Sequence, residues 1–200
     1  MAPHPDDVAG RPDRPHPTRR SDGPGSAGPE PALPDEAQAE RIRAFWEVAR
    51  LHTRQGHVPV YMGEDWPDNV PPPAWSFGDS PELADELLAL VLVGSKTGTA
   101  ALAWEYRQAG ESIPAKGDLS IILDGRGRPA ALIRTRSVTV VPFHEVTAEH
   151  AHAEGEGDAT LESWRRDHEA FWRRTTPEGV FSHDALVVCE RFELLFAAGR

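Results

Sequence analysis

Apolar residues between Glu36 and Arg54 recur at helical spacing (Ile42, Phe45, Trp46 and Ala49), so this stretch reads as one amphipathic helix. A second helix has a well-marked start and stop. Ser80 stands at the N-cap, Pro81 at the first helical position and Glu82 in the first turn; Leu83, Leu87, Leu90 and Val91 form the apolar stripe, and Gly94 ends it. The period then changes from 3.6 to 2, which predicts strands near Thr99–Tyr106, Asp118–Leu123, Ala130–Val141 and Ala185–Phe196. Asp124-Gly125-Arg126-Gly127-Arg128 joins the second and third as a hairpin. The third is long enough to bend, with Arg134 and Arg136 opposite Ile133 and Thr135. Helices are expected over Glu145–Ala153 and Leu161–Arg174, the latter presenting Leu161, Trp164, His168, Phe171 and Trp172 on one broad face. Helices set around a curved antiparallel sheet, without regular strand-helix alternation, make this an α+β chain.

Residues 1–35 are dominated by Pro, Gly, Asp, Arg and Ser and contain almost no branched or aromatic side chains. Such a segment cannot repay the entropy of ordering, so it is expected to be a disordered tail, with one ordered domain over 36–200. Pro and Gly also break up the stretch from His57 to Pro67, expected as an aromatic covering loop in which Tyr61 and Trp66 pack or form a lid. The formal charge of −11, from 32 acidic and 21 basic residues, repels nucleic acid at long range. The lone cysteine, Cys189, rules out an internal disulfide, and its strand-like neighbours suggest a buried, inert thiol. No stretch reaches the roughly 18–20 apolar residues that span a bilayer, and Met1–Asp7 lacks the apolar core of a secretion signal. A cytoplasmic protein without membrane partners, a monomer or small homo-oligomer, is expected.

Candidate chemistry concentrates in two glycine-punctuated turns. Gly94-Ser95-Lys96-Thr97-Gly98-Thr99 carries an amine and hydroxyls at a junction of elements, and Glu154-Gly155-Glu156-Gly157-Asp158 carries carboxylates. The first is no nucleotide-triphosphate loop, because the four-residue spacer after an initial glycine is missing. His144, His150 and His152, with Glu145, Glu149 and Glu154, read as a solvated helix surface more readily than as a metal site; Glu156 and Asp158 are the carboxylates that would suit a hard cation. Trp75 and Phe77 would stack on a base or pack on the sheet, Arg134 would meet a phosphate or solvent, Glu190 and Arg191 would form a buried pair, and Asp79 would bind a turn backbone.

Taken in order, Trp75–Asp79, Leu90–Ala100, Pro114–Asp118, Ile133–Thr135, Val140–Phe143, Ala153–Asp158 and Val188–Phe192 identify the chain as similar to the ASCH-domain family, relatives of the RNA-binding PUA domains. It looks most like the longer bacterial branch, which has an extra N-terminal helix. The resemblance implies a small, partly open β-barrel flanked by helices, with a cleft. Short members resemble N4-acetylcytidine hydrolases that use a lysine, a threonine and a glutamate, which map onto Lys96, Thr99 and Glu156. Gly98 stands where alanine is common, and Ser95 where a basic residue is common.

Two classes of chemistry follow. In an amidohydrolase, Lys96 acts either as a base with a lowered pKa or as a charged oxyanion stabiliser; Glu156 shuttles a proton or activates water, and Thr99 attacks or positions the carbonyl. Trp75, Phe77, Arg134 and Glu154 would contact the ligand, and no cofactor is expected. A metal-dependent ribonuclease would instead need a divalent cation and a basic track through Arg134, Arg136 and Lys116. A non-catalytic module binding RNA or a modified nucleotide would keep the pocket alone.

Overall fold

The computed structural model describes residues 36–55 and 70–199. The expected tail over 1–35 and the aromatic loop with Tyr61 and Trp66 lie outside the described residues. In chain order the elements are α1 (Glu36–Gln55), β1 (Ala74–Trp75), α2 (Pro81–Val93), β2 (Gly98–Leu102), α3 (Ala103–Ala109), β3 (Leu119–Leu123), β4 (Pro129–Pro142), α4 (Ala148–Glu154), α5 (Leu161–Thr175) and β5 (Leu186–Ala197). A short 3₁₀ turn, Phe143–Glu145, follows β4.

The strands form one five-stranded sheet in the order β1-β3-β4-β5-β2, with β1 parallel to β3 and every other pairing antiparallel. The two edge strands, β1 and β2, are not joined to each other, so the curved sheet stays open as a barrel. Strands β4 and β5 are its spine. Their register shifts between Leu132 and Ile133 and again between Thr135 and Ser137, and such irregularities bend and twist a long strand.

Side-chain alternation divides the core. Ile121 and Leu132 face α1, where they bury Ile42, Phe45, Trp46 and Ala49. Their neighbours Ile122 and Ile133 turn the other way and pack with Phe77, Leu87, Leu88, Val91 and Phe192. The α2 stripe therefore runs through Ala84, Leu87, Leu88 and Val91, with Leu83 and Leu90 only partly buried. A third cluster gathers Trp164 and Trp172 of α5 with Leu102, Phe143, Phe181, Val187 and Cys189. Burial pushes the Cys189 thiol up to about 12, helped by the charge of Glu154, so it stays protonated and inert.

Local chemistry explains where the elements stop. Ser80 Oγ accepts from Leu83 N at 3.2 Å, and Gly94 closes α2 in the left-handed conformation at φ 82°. In the β3–β4 hairpin, Asp124 Oδ1 accepts from the backbone N–H groups of Arg126 and Arg128, each at 2.9 Å. The strand expected over Thr99–Tyr106 ends at Leu102, because Glu105 Oε2 accepts from Leu102 N at 2.9 Å and starts α3. Likewise the helix expected over Glu145–Ala153 begins later, at Ala148, where Thr147 Oγ1 accepts from His150 N. Among the described residues, no helix is long and apolar enough to cross a membrane.

Two substitutions test these local arguments by chemical denaturation. Ser80→Ala removes the α2 cap and costs about 1 kcal/mol. Ala159, held at φ 57° just before α5, occupies a conformation unfavourable to any residue with a Cβ; Ala159→Gly raises stability by about 0.5–1 kcal/mol.

Candidate functional site

Both glycine-punctuated turns meet at one place. The α2 terminus holds the first: Ser95 N and Lys96 N both donate to Leu90 O, at 2.9 and 3.1 Å. From there Thr97 N donates to Ala153 O at 2.7 Å, and Phe192 N donates to Thr97 O at 2.9 Å, fixing the turn between α4 and β5. Gly155 closes α4 at φ 65°, and a Cβ there would stand 2.4 Å from the Ser95 carbonyl oxygen. Only glycine allows this approach. Gly98, by contrast, pairs regularly with Arg191 and has no left-handed backbone; its missing Cβ leaves room for Ala153 and the Glu190 carbonyl.

Lys96 is enclosed at the centre, with 1 % of its surface exposed. Its Nζ lies 3.1 Å from Glu154 Oε2 and 2.5 Å from Glu156 Oε1, and 5.2 Å from the centre of the Phe77 ring. Burial works against the charge, but the two carboxylates outweigh it and hold the Lys96 pKa above its ordinary value. Glu154 is equally enclosed and also accepts from Trp164 Nε1 at 2.6 Å and from His150 Nε2 at 3.1 Å. Burial disfavours its ionisation, yet Lys96, His150 and His168 hold its carboxyl far below the usual range. Glu156 is the open member, with its side chain 32 % exposed.

The remaining candidates scatter. Thr99 pairs across strands with Glu190 and is half-buried; no hydrogen bond joins it to Lys96 among the described residues. Phe77 is buried under Lys96, against Trp75 and Phe192, and presents no free face to a ligand. Arg134 lies across from Glu193 and donates to it at 2.7 Å, and Arg136 reaches the same carboxylate at 3.2 Å. Glu190 and Arg191 do not pair, because neighbours on a strand point to opposite faces. Thr135 Oγ1 donates to Glu190 Oε1 at 2.6 Å, while Arg191 Nη1 stands 3.7 Å from Glu149. Asp79 pairs with the Arg174 side chain rather than with a turn backbone.

The histidines diverge. His150 is committed to Glu154, His144 lies against the His183 carbonyl and His152 is exposed. Asp158 caps α5 through Thr160 and Ser163, and these bonds, that to Ser163 foremost, lower its pKa to about 2. Among the described residues, no three His, Cys, Asp or Glu side chains gather as metal ligands.

A cleft of about 530 Å³ is lined by Trp75, Tyr106, Lys116 and Glu190 among others. Trp75 and, from the ribonuclease reading, Lys116 are the candidate contacts from the sequence that line it. Tyr106 and Glu190 escaped sequence reasoning: the first sat in an expected strand and the second in an expected ion pair. An acidic residue inside an apolar strand was the available signal.

The Lys96–Glu154 pair sets a pH dependence. Folded Glu154 binds its proton more weakly than unfolded Glu154, so acid favours the unfolded chain. Stability is full above the unfolded glutamate value of about 4.3 and declines as pH falls below it toward the depressed folded value. Glu154→Gln costs about 3 kcal/mol at neutral pH and flattens the acid limb of the stability profile, both read from urea denaturation between pH 3 and 7.

Comparison with known proteins agrees with this architecture. The ASCH domain model matches residues 73–195. The chain is 32 % identical to a protein from Enterococcus faecalis V583 of the DUF984 family, over 78 % of this chain and 88 % of that one, with a TM-score of 0.64. It is 26 % identical to an ASCH domain from Lactobacillus crispatus JV V101, over 82 % of this chain and 99 % of that one, with a TM-score of 0.65. Among curated proteins, none matches the chain. With the family model spanning more than half of the sequence and the sheet, helices and paired turns in place, the chain belongs to the ASCH domain family.

Proposed function

We propose that the protein hydrolyses an amide on a modified nucleoside of the N4-acylcytidine type, with Lys96 as a fixed cation and Glu156 as the proton carrier. The 2.5 Å contact between Lys96 Nζ and the partly exposed Glu156 carries this reading. Glu154 is enclosed and keeps Lys96 charged, so Glu156 is the partner that an arriving acyl carbonyl displaces. Lys96 then stabilises the oxyanion. The freed Glu156 takes a proton from water as the water oxygen bonds to the acyl carbon, and returns it to the amine as the carbon–nitrogen bond breaks. A charged Lys96 cannot accept the Thr99 proton, which favours water as nucleophile and Thr99 as a positioning group.

A second reading, ligand binding without hydrolysis, has its own support: Lys96, Thr99 and Glu156 are not among the residues lining the cleft. The ribonuclease reading has less. Arg134 and Arg136 share Glu193, and the chain carries a net charge of −11, so a phosphate track finds few cations at its disposal.

Incubation with N4-acetylcytidine, with and without EDTA and followed by mass spectrometry, tests the proposal. Wild type releases acetate and cytidine in both conditions. Glu156→Gln lowers kcat by about 10²-fold or more while the melting curve stays cooperative. An unchanged kcat in this variant sinks the assigned role, and an intact nucleoside with wild type leaves the binding reading. Cleavage of single-stranded RNA that EDTA abolishes restores the ribonuclease.

A further inference from the structure

Strand β4 outruns its neighbour. It pairs with β3 only from Pro129 to Arg134, and one further step follows, in which Thr135 N donates to Asp118 O and Gly117 N donates to Thr135 O, each at 2.9 Å. From Ser137 to Pro142 the strand pairs with β5 alone, in unbroken register. Phe143 N donates to Ala185 O, so the odd-numbered residues here turn their backbone groups toward β5, and Val138 and Val140 turn theirs away. Among the described residues, no backbone group bonds to that outer side. Side chains leave the edge apolar as well. Val140 and Leu186 are 42 % and 47 % exposed. Leu186 stands opposite Pro142, on the face that Val138 and Val140 share. A free strand edge is ordinarily guarded by a charge, a proline or a bulge. Between Ser137 and Val141 there is none of these, and the chain carries no charge as far as Phe143.

We propose that two copies of the chain join through these edges, β4 against β4 about a two-fold axis, so that both sheets continue into one. Two features favour a second copy over an unrelated strand. An antiparallel copy centred on Thr139 sets Val138 opposite Val140 and Val140 opposite Val138, where each pair exchanges both backbone bonds. Arg136 precedes the uncharged stretch and Glu145 follows it, with side chains 58 % and 59 % exposed. The two-fold brings the Arg136 end of each strand to the Glu145 end of the other, a cation beside a carboxylate at both ends. Each copy has a formal charge of −11, yet the edge itself sets no carboxylate against another. So short an edge buries little surface, and association is weak and concentration-dependent. The pairing draws on neither the hydrolytic nor the binding reading.

Sedimentation velocity of the full chain over a dilution series reads the association. Wild type passes from dimer to monomer on dilution. Val140→Lys, a change at an exposed position, weakens association at least about tenfold and leaves the melting curve cooperative. Thr139→Cys locates the axis. Across a non-hydrogen-bonded antiparallel pair the Cα atoms stand about 4.5 Å apart, within disulfide reach, so mild oxidation links two copies of this variant. The native Cys189 is buried and does not compete. A wild type that stays monomeric at every concentration leaves the edge to a strand of another protein and overturns the proposal. A dimer indifferent to Val140→Lys, or no link through position 139, overturns it equally. Should Val140→Lys not fold, the Thr139→Cys link decides alone.

Discussion

A charged amine enclosed by protein has to find its counter-charges there, and the placement of Lys96 organises the surroundings. Glu154 answers it from the end of α4, and Glu156 from the turn beyond. Because Glu154 is enclosed too, it draws in Trp164 and His150 as donors, with His168 Nε2 at 3.7 Å. The cation meanwhile rests over Phe77, part of the cluster under α2. Trp164 belongs to the cluster under α5. One ion pair thus ties together two apolar clusters that share no buried residue.

The same sheet sorts its chemistry by alternation. On β5, Val187 and Cys189 enter the α5 cluster while Glu190 and Phe192 turn the other way, one toward the cleft and one beneath α2. A thiol and a carboxyl adjacent in sequence therefore reach different environments. Burial keeps both protonated more readily than water would, but only the carboxyl adjoins open space.

Much of this was legible from the chain itself where local chemistry decides. Ser80, Pro81 and Gly94 bound α2 as read, and Asp124 to Arg128 turn the hairpin. The helix over α1 needed only its periodicity. Reading failed where a distant partner decides. Thr99 to Tyr106 read as a strand, yet the Glu105 side chain folds back on Leu102 and begins a helix. Lys96 and Glu156 stood out in two glycine-punctuated turns and took their roles from the family resemblance, but the enclosure that fixes the charge of Lys96 depends on Glu154, Trp164 and His150, set by packing. Arg134 read as a free cation because Glu193, its neighbour on another strand, is 59 residues away along the chain.

Contact between the two turns also limits how the chain can vary. A Cβ on Gly155 would stand 2.4 Å from the Ser95 carbonyl oxygen, and Thr97 is bonded to Ala153 across the same gap. An altered turn at one segment must be matched at the other, although nearly sixty residues separate them. The two segments thus form one structural unit written in two places.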